Sequence, residues 1–174
     1  ITGGSAFNIK AKSLTLGNFS LEETEKLLVE HTNYCEQVFE VGVAEFIYEK
    51  SWGQPWLVNA IAFELTFEMK ENRDPKIKIS LMMAEKAVNA IVLSRATHLD
   101  QLADKLKEGR VRNVIAPMVL GEEQNSRQDD IDYCIDLGLI KRTPEGLQIS
   151  NPIYKEIIPR ELSASRQENF LTRF

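Results

Sequence analysis

Regularly spaced apolar residues, interrupted by single glycines, dominate the second half of the 174-residue chain. The apolar residues from Leu99 to Leu106 recur at intervals of three and four, the spacing of one helix face, and Gly109 follows them as a helix end. The same pattern recurs before Gly121 and before Gly138. We therefore predict three short helices, over residues 98–108, 110–120 and 128–137.

A hairpin and a final helix follow these three helices. The segment Thr143-Pro-Glu-Gly146 has proline and glycine where a type I turn prefers them, and the residues after it alternate between apolar and polar as in a half-buried strand. A last short helix is predicted from Pro152 to about Pro159. Three helices followed by a two-stranded wing is the element order of a winged helix, which we expect over residues 97–160.

The first half of the chain contains four predicted helices. Ser20 and Glu23 form a capping box that starts the first helix, which runs to about Tyr34. Pro55 suits the first position of the third helix, because its missing N–H is not needed there. Apolar residues then surround that helix to about Lys70, as in a buried central helix. The second and fourth helices are predicted over residues 41–50 and 80–94.

Together these patterns predict a mainly α-helical protein, in which a four-helix bundle precedes a winged-helix domain with a small β-hairpin wing. The predicted boundaries place a connecting segment at residues 1–19, the bundle at 20–96, the winged helix at 97–160 and a polar tail at 161–174.

Charge and cysteine content argue against several classes of protein. The chain carries 21 Lys and Arg against 26 Asp and Glu, a formal net charge of −5. This balance disfavours binding to nucleic acids or anionic membranes, because phosphate contacts need basic side chains. Two cysteines are too few for a disulfide-rich secreted domain, and no stretch approaches the roughly 20 apolar residues of a membrane helix. We expect a cytoplasmic protein that binds no membrane.

The helix before the wing also argues against DNA binding. In helix-turn-helix modules this helix usually enters the major groove, yet here it carries four carboxylates, on Asp129, Asp130, Asp132 and Asp136. Carboxylates are repelled by the phosphates that line the groove. A nucleic-acid partner is therefore not expected through this face.

The sequence lacks the short motifs of a self-contained catalytic site. It has neither a G-x-x-x-x-G-K-[ST] phosphate loop nor a G-x-G-x-x-G turn, and its two histidines and two cysteines lack the spacing of a zinc site. No catalytic or metal-binding residue is assigned. Because the chain starts at Ile1 and its first methionine is Met69, we expect it to be a piece of a longer protein that holds the missing chemistry.

Gly53, Gln54 and Pro55 form a predicted corner before the third helix, and Trp52 and Trp56 flank it. One interpretation is structural: a tight turn leads into a buried helix, and the tryptophans anchor helix to helix. The other is functional: the N-terminal N–H groups and positive end of the helix cover a bound nucleotide, with one tryptophan at the nucleotide's edge. The residues alone leave both interpretations open.

A resemblance to a known family covers most of the chain, from about Phe7 to about Phe170. The string SWGQPWLVNAIA, preceded by FNIKAKSLTLGNFSLEETEKLL, resembles the lid of bacterial AAA-like P-loop ATPases of the STAND type, the signal-transduction ATPases with numerous domains. The strings THLDQLADKLKEGRVRNVIAPMVLGE and DLGLIKRTPEGLQISNPIYKEIIPREL are similar to the winged helix that follows the lid.

This resemblance implies a P-loop domain, a lid and a winged helix in that order. The chain carries the last two, with residues 1–19 as the end of the first. The resemblance implies that Gly53 and Pro55 contact the adenine of ATP or ADP, or its surroundings, with Mg²⁺ in the full-length protein and no nucleotide tightly bound to this piece. Many members carry a β-phosphate-sensing histidine before the last helix, and Asn151 occupies the approximate place here. Asn151 can instead cap that helix, with Pro152 at its first position.

The function implied is that of a non-catalytic lid and winged helix, which helps to cover the nucleotide and relays its state by moving as a unit. The partner implied is the P-loop domain of the same chain, and a further protein or a second copy is an additional candidate. The alternatives are a protein-interaction scaffold that never needed nucleotide and, less favoured, a winged-helix DNA-binding module.

Overall fold

A computed structural model describes residues 17–94 and 97–171, with the side chains of 94–101 and 164–171 left outside the description. Most of the predicted connector 1–19 therefore lies outside the described residues. Within them the protein is mainly α-helical with one antiparallel hairpin, which confirms the predicted fold class. The helices are α1 Leu21–Cys35, α2 Val43–Ser51, α3 Pro55–Phe63, α4 Leu81–Ser94, α5 Thr97–Lys107, α6 Gly109–Leu120, α7 Gln128–Asp136 and α8 Pro152–Leu171, and the strands are β1 Ile140–Thr143 and β2 Gly146–Ile149.

The start of α1 is fixed by the predicted capping box. The Ser20 hydroxyl accepts from the Glu23 N–H at 3.1 Å, and the Glu23 carboxylate accepts from the Ser20 N–H at 2.7 Å. Helix α2 begins two residues later than predicted, because Gly42 adopts a left-handed conformation at its N-cap with φ +92°. Helices α1 and α2 pack side by side.

The third helix differs from its prediction in length and in burial. The α-helix ends at Phe63, and the helical segment continues as one wide π-helical turn over Glu64–Glu68. The predicted end at about Lys70 is therefore two residues late, and the π-helical turn was not predicted. Phe63 and Phe67 are 52% and 53% exposed, and their rings stack on each other at 4.8 Å between centroids. The helix is therefore buried on one face and open on the other.

The hairpin forms in the register that its turn residues indicate. Thr143 pairs with Gly146 next to the turn, and Ile140 pairs with Ile149 at the other end. Both isoleucines are buried, so the base of the wing is anchored in the core. The predicted wing is confirmed.

Helix α8 is longer than predicted, because it continues through Pro159 to Leu171. A proline inside a helix lacks an N–H and removes one backbone hydrogen bond, here to the Lys155 carbonyl. Ile157 and Ile158 are buried immediately before it, and their packing keeps the helix together at that point. The predicted end at Pro159 is therefore wrong.

A single apolar core connects the two halves of the chain. Its buried side chains belong to one cluster that runs from Leu28 in α1 to Ile158 in α8. Helix α8 packs against α2 and α4 of the first half and against α5 and α6 of the second. Through α8, the helical bundle and the winged helix share one interior.

Candidate functional site

Gly53 sits in a backbone-to-backbone contact that only glycine can make. It has φ +70°, and a Cβ added to it would overlap the carbonyl oxygen of Phe19. The Phe19 N–H donates to the Gly53 carbonyl at 2.7 Å. The Ser51 hydroxyl accepts from the Gly53 N–H at 3.1 Å. The corner is thus locked on both sides by hydrogen bonds, and its glycine is buried.

Pro55 is the first residue of α3, as predicted, and Gln54 is its N-cap. The Gln54 side chain does not cap the helix. Gln54, Pro55 and Trp56 are all half-buried, so the corner keeps part of its surface open next to the positive end of the α3 dipole. This partly open surface leaves room for a contact from outside the described fold.

Asn151 is fully buried and caps α8. Its Oδ1 accepts from the Tyr154 N–H at 2.8 Å, which is the bond that an N-cap asparagine makes to the third helical residue. Its Nδ2 donates to Gln54 Oε1 at 2.7 Å. Both ends of the Asn151 amide are therefore used inside the protein, and the geometry matches the capping interpretation.

The Gln54 amide joins the corner to α8 through two hydrogen bonds. Besides accepting from Asn151, it donates from Nε2 to the Tyr154 hydroxyl at 3.1 Å. Burial raises the pKa of Tyr154, and the hydrogen bond from Gln54 opposes that rise. Sequence reasoning treated Gln54 only as a turn residue and missed this bridge, because Gln54 and Asn151 are 97 positions apart.

Trp52, the other flank of the corner, is contacted by two lysines from the winged helix. The Lys141 ammonium lies 3.1 Å from the centroid of the indole and the Lys155 ammonium 5.5 Å from it. Burial, and then the nearby positive charge of Lys155, lower the pKa of Lys141. Neither lysine was singled out from the sequence, since no local spacing links them to Trp52.

Two of the four α7 carboxylates form ion pairs with basic side chains of neighbouring elements. Asp130 pairs with Arg110 of α6 at 3.2 Å, and Asp132 pairs with Arg142 of β1 at 2.9 Å. The Arg110 guanidinium also lies 3.8 Å from the centroid of the Tyr133 ring. The acidic residues that disfavour DNA thus help to hold α7 against α6 and the wing.

The thiol of Cys134 is buried in the same region. Burial, partly opposed by Arg110, raises its pKa to about 11, so the thiol stays protonated at neutral pH and is a poor nucleophile. Among the described residues, no group of three or more His, Cys, Asp or Glu side chains is arranged to hold a metal ion. In the same part of the chain, no helix has the length and apolarity to cross a membrane.

Comparison with known proteins finds a likeness only among solved structures. No family model matches the sequence, and no curated protein matches it. RuvB of Thermotoga maritima, described as a Holliday junction branch migration motor, is similar over 82% of this chain, with 16% identity and a TM-score of 0.44. A variant of the same protein gives 18% identity and a TM-score of 0.43 over the same share. The chain spans 50% of the length of each of these structures.

Proposed function

We propose that this chain is the lid and winged-helix part of an AAA-like P-loop ATPase of the STAND type, and that its corner covers ATP or ADP held by a P-loop domain. The observation that carries the proposal is the Gly53-Gln54-Pro55 corner, which is locked in place, partly open and bonded to the winged helix. The chain itself contributes no catalytic residue. Its role is to cover the nucleotide and to respond to it.

The rigidity of the corner suits a nucleotide contact. Gly53 is fixed against Phe19 on one side and Ser51 on the other, and Pro55 has a fixed φ at the start of α3. A contact surface that is already ordered loses little conformational entropy when a ligand arrives. Pro55 and Trp56 are half-buried at this surface, and we assign them to the side of the nucleotide.

The Gln54 bridge suits a relay of nucleotide state. A shift of the corner changes the hydrogen bonds of Gln54 to Asn151 and Tyr154, both at the N-terminal end of α8. Helix α8 packs on both halves of the chain, so the lid and the winged helix respond together. Rigid-body movement across a domain interface is a known switching mode, and the nucleotide biases it by contacting one arrangement better than the other.

The proposal is tested with the longer gene product that includes the residues encoded before Ile1. We expect a Walker lysine there, and ATP hydrolysis by the longer protein but not by residues 1–174 alone. Pro55→Ala in the longer protein should weaken ATP binding by roughly threefold to tenfold, which is about 0.6–1.4 kcal/mol. Pro75→Ala, in an exposed loop, is the matched control and should leave the affinity unchanged. An upstream region without a phosphate loop would refute the proposal.

A protein-interaction scaffold is the second candidate, and one observation favours it. The stacked rings of Phe63 and Phe67 are about half exposed, and large aromatic side chains are enriched where proteins bind each other. Under this alternative the longer protein binds no nucleotide, and Phe67→Ser weakens a protein complex while Pro55→Ala does not. The same set of variants therefore separates the two functions.

A further inference from the structure

Two positively charged side chains converge on one neutral ring in this protein. The ammonium groups of Lys141 and Lys155 both lie within 5.5 Å of the centroid of the Trp52 indole. Among the side chains that the structure describes, neither lysine forms an ion pair with a carboxylate. The indole attracts each cation, but the two like charges still repel each other.

Three separate elements hold this Trp52 cluster, which we define as Trp52, Lys141 and Lys155. Trp52 ends α2 in a left-handed conformation with φ +50°, Lys141 lies in β1, and Lys155 lies in the first turn of α8. In the hairpin register Lys141 is opposite Gln148. Gln148 and Lys155 both line an open cavity of about 650 Å³ between the end of α6 and the wing. The cluster therefore borders this space through Lys155, which lines it, and Lys141 is connected to it by its pairing with Gln148.

We propose that the Trp52 cluster binds a phosphate group, with Lys141 and Lys155 as its charged ligands and the Gln148 amide as an added donor. A phosphate dianion that contacts both ammonium groups would replace their mutual repulsion with two attractions. Charge-assisted hydrogen bonds of this kind are about twice as strong as neutral ones. Burial, and then the positive charge of Lys155, lower the pKa of Lys141, and a nearby anion would offset that repulsion.

One carboxylate opposes the binding of an anion here. Glu122 lines the same cavity as Lys155 and is exposed. Its negative charge lowers the affinity for phosphate without blocking the cluster. Removing this charge by Glu122→Gln should therefore raise the affinity of the site for phosphate.

The inference goes beyond the proposed function, because it is made for this chain alone and needs no P-loop domain. The phosphate group can come from free pyrophosphate or from a nucleotide, and the chemistry of recognition is the same in both cases. Failure of the Trp52 cluster to bind phosphate would leave the test of the corner in the longer protein unaffected.

The experiment titrates inorganic pyrophosphate into residues 1–174 at low ionic strength, followed by calorimetry and tryptophan fluorescence. We expect saturable binding with a change in emission, because Trp52 is one of only two tryptophans and its ring contacts both lysines. Lys141→Met and Lys155→Met keep the aliphatic stems and should each weaken binding about tenfold, with the double variant weaker still. Lys78→Met, which removes an exposed lysine elsewhere, should leave the affinity unchanged. Glu122→Gln should strengthen binding about twofold to threefold.

The outcomes separate the alternatives. The proposal would be overturned if Lys78→Met and Lys141→Met lowered the affinity for pyrophosphate equally. It would also be overturned if pyrophosphate showed no saturable binding while circular dichroism showed that all variants are folded. If ADP binds with the same affinity as pyrophosphate and depends on the same lysines, the site recognises the phosphate group alone. If ADP binds more tightly than pyrophosphate, and Pro55→Ala removes the difference in affinity, the phosphate group comes from a nucleotide. If duplex DNA binds through these lysines at about 0.15 M ionic strength and pyrophosphate does not bind, the assigned class of ligand is wrong.

Discussion

Gly53 shows how much of the corner depends on one missing side chain. Its φ of +70° is in the left-handed region, and its α-carbon lies so close to the Phe19 carbonyl that no Cβ fits. The positive φ disfavours every residue that has a Cβ. The contact with Phe19 excludes a Cβ altogether unless the backbone moves. The two costs can be separated, because Gly121 has nearly the same φ of +69° with open space around it.

We predict that Gly53→Ala destabilises the protein by about 3 kcal/mol or more, since backbone overlap adds to conformational strain. Gly121→Ala carries the strain alone and should cost about 1 kcal/mol. Urea denaturation of the two variants measures the difference. Equal losses of stability would mean that the contact between Gly53 and Phe19 does not form.

Single residues also show where sequence reasoning succeeds and where it stops. Ser20 and Pro55 take their predicted positions at helix starts, because capping and the fixed φ of proline act within a few residues. Gln54, Lys141 and Lys155 could not be assigned, because their partners lie on elements that meet only in the folded chain. The corner was predictable as a turn, but its bridge to α8 was not.

At the scale of elements, the wide turn after α3 is the clearest departure from a regular helix. The Met69 N–H donates to the Glu64 carbonyl at 3.0 Å, five residues back, so the turn holds one residue more than an α-helix would. The Leu65 carbonyl accepts instead from Asn72 Nδ2 at 2.8 Å. Asn72 is buried and closes the end of the element. An apolar sequence that suits a continuous helix gives no sign of this turn.

Asn72→Ala should therefore destabilise the protein by about 1–3 kcal/mol, because it leaves a buried carbonyl without its donor. Asn59→Ala is the matched control: Asn59 also donates to a helical carbonyl, that of Pro55 at 2.8 Å, but at an exposed position. Its loss should change stability by no more than about 0.5 kcal/mol. Thermal and urea unfolding check both values, and a neutral Asn72→Ala would contradict the role of Asn72 at this turn.

At the scale of the whole molecule, the two halves are joined by apolar packing and by polar contacts that include the hydrogen bonds of Gln54. Buried residues form a continuous cluster across α8, and Gln54 links the corner to Tyr154 beside it. A protein with one continuous core is expected to unfold in a single cooperative step. The bridge then adds specificity to a junction that the core already stabilises.

The bridge can be measured with a double-mutant cycle. Gln54→Ala and Tyr154→Phe should each lower the free energy of unfolding, and their coupling should be about 0.5–1.5 kcal/mol, the value of one hydrogen bond. Tyr34→Phe combined with Gln54→Ala is the control and should show no coupling, because Tyr34 is 91% exposed on α1. Tryptophan fluorescence and far-ultraviolet circular dichroism should give the same midpoint. Zero coupling between Gln54 and Tyr154 would show that the bridge contributes nothing.

The bond between Phe19 and Gly53 also fixes the path of the chain immediately before α1. The Asn18 side chain donates to the Trp52 carbonyl at 3.0 Å, so residues 18 and 19 run alongside the Gly-Pro turn. The backbone that leads into α1 is therefore fixed beside the turn. A neighbour joined to this chain by a short tether would reach an effective concentration in the millimolar range, and it would contact the turn without needing a large docking area of its own.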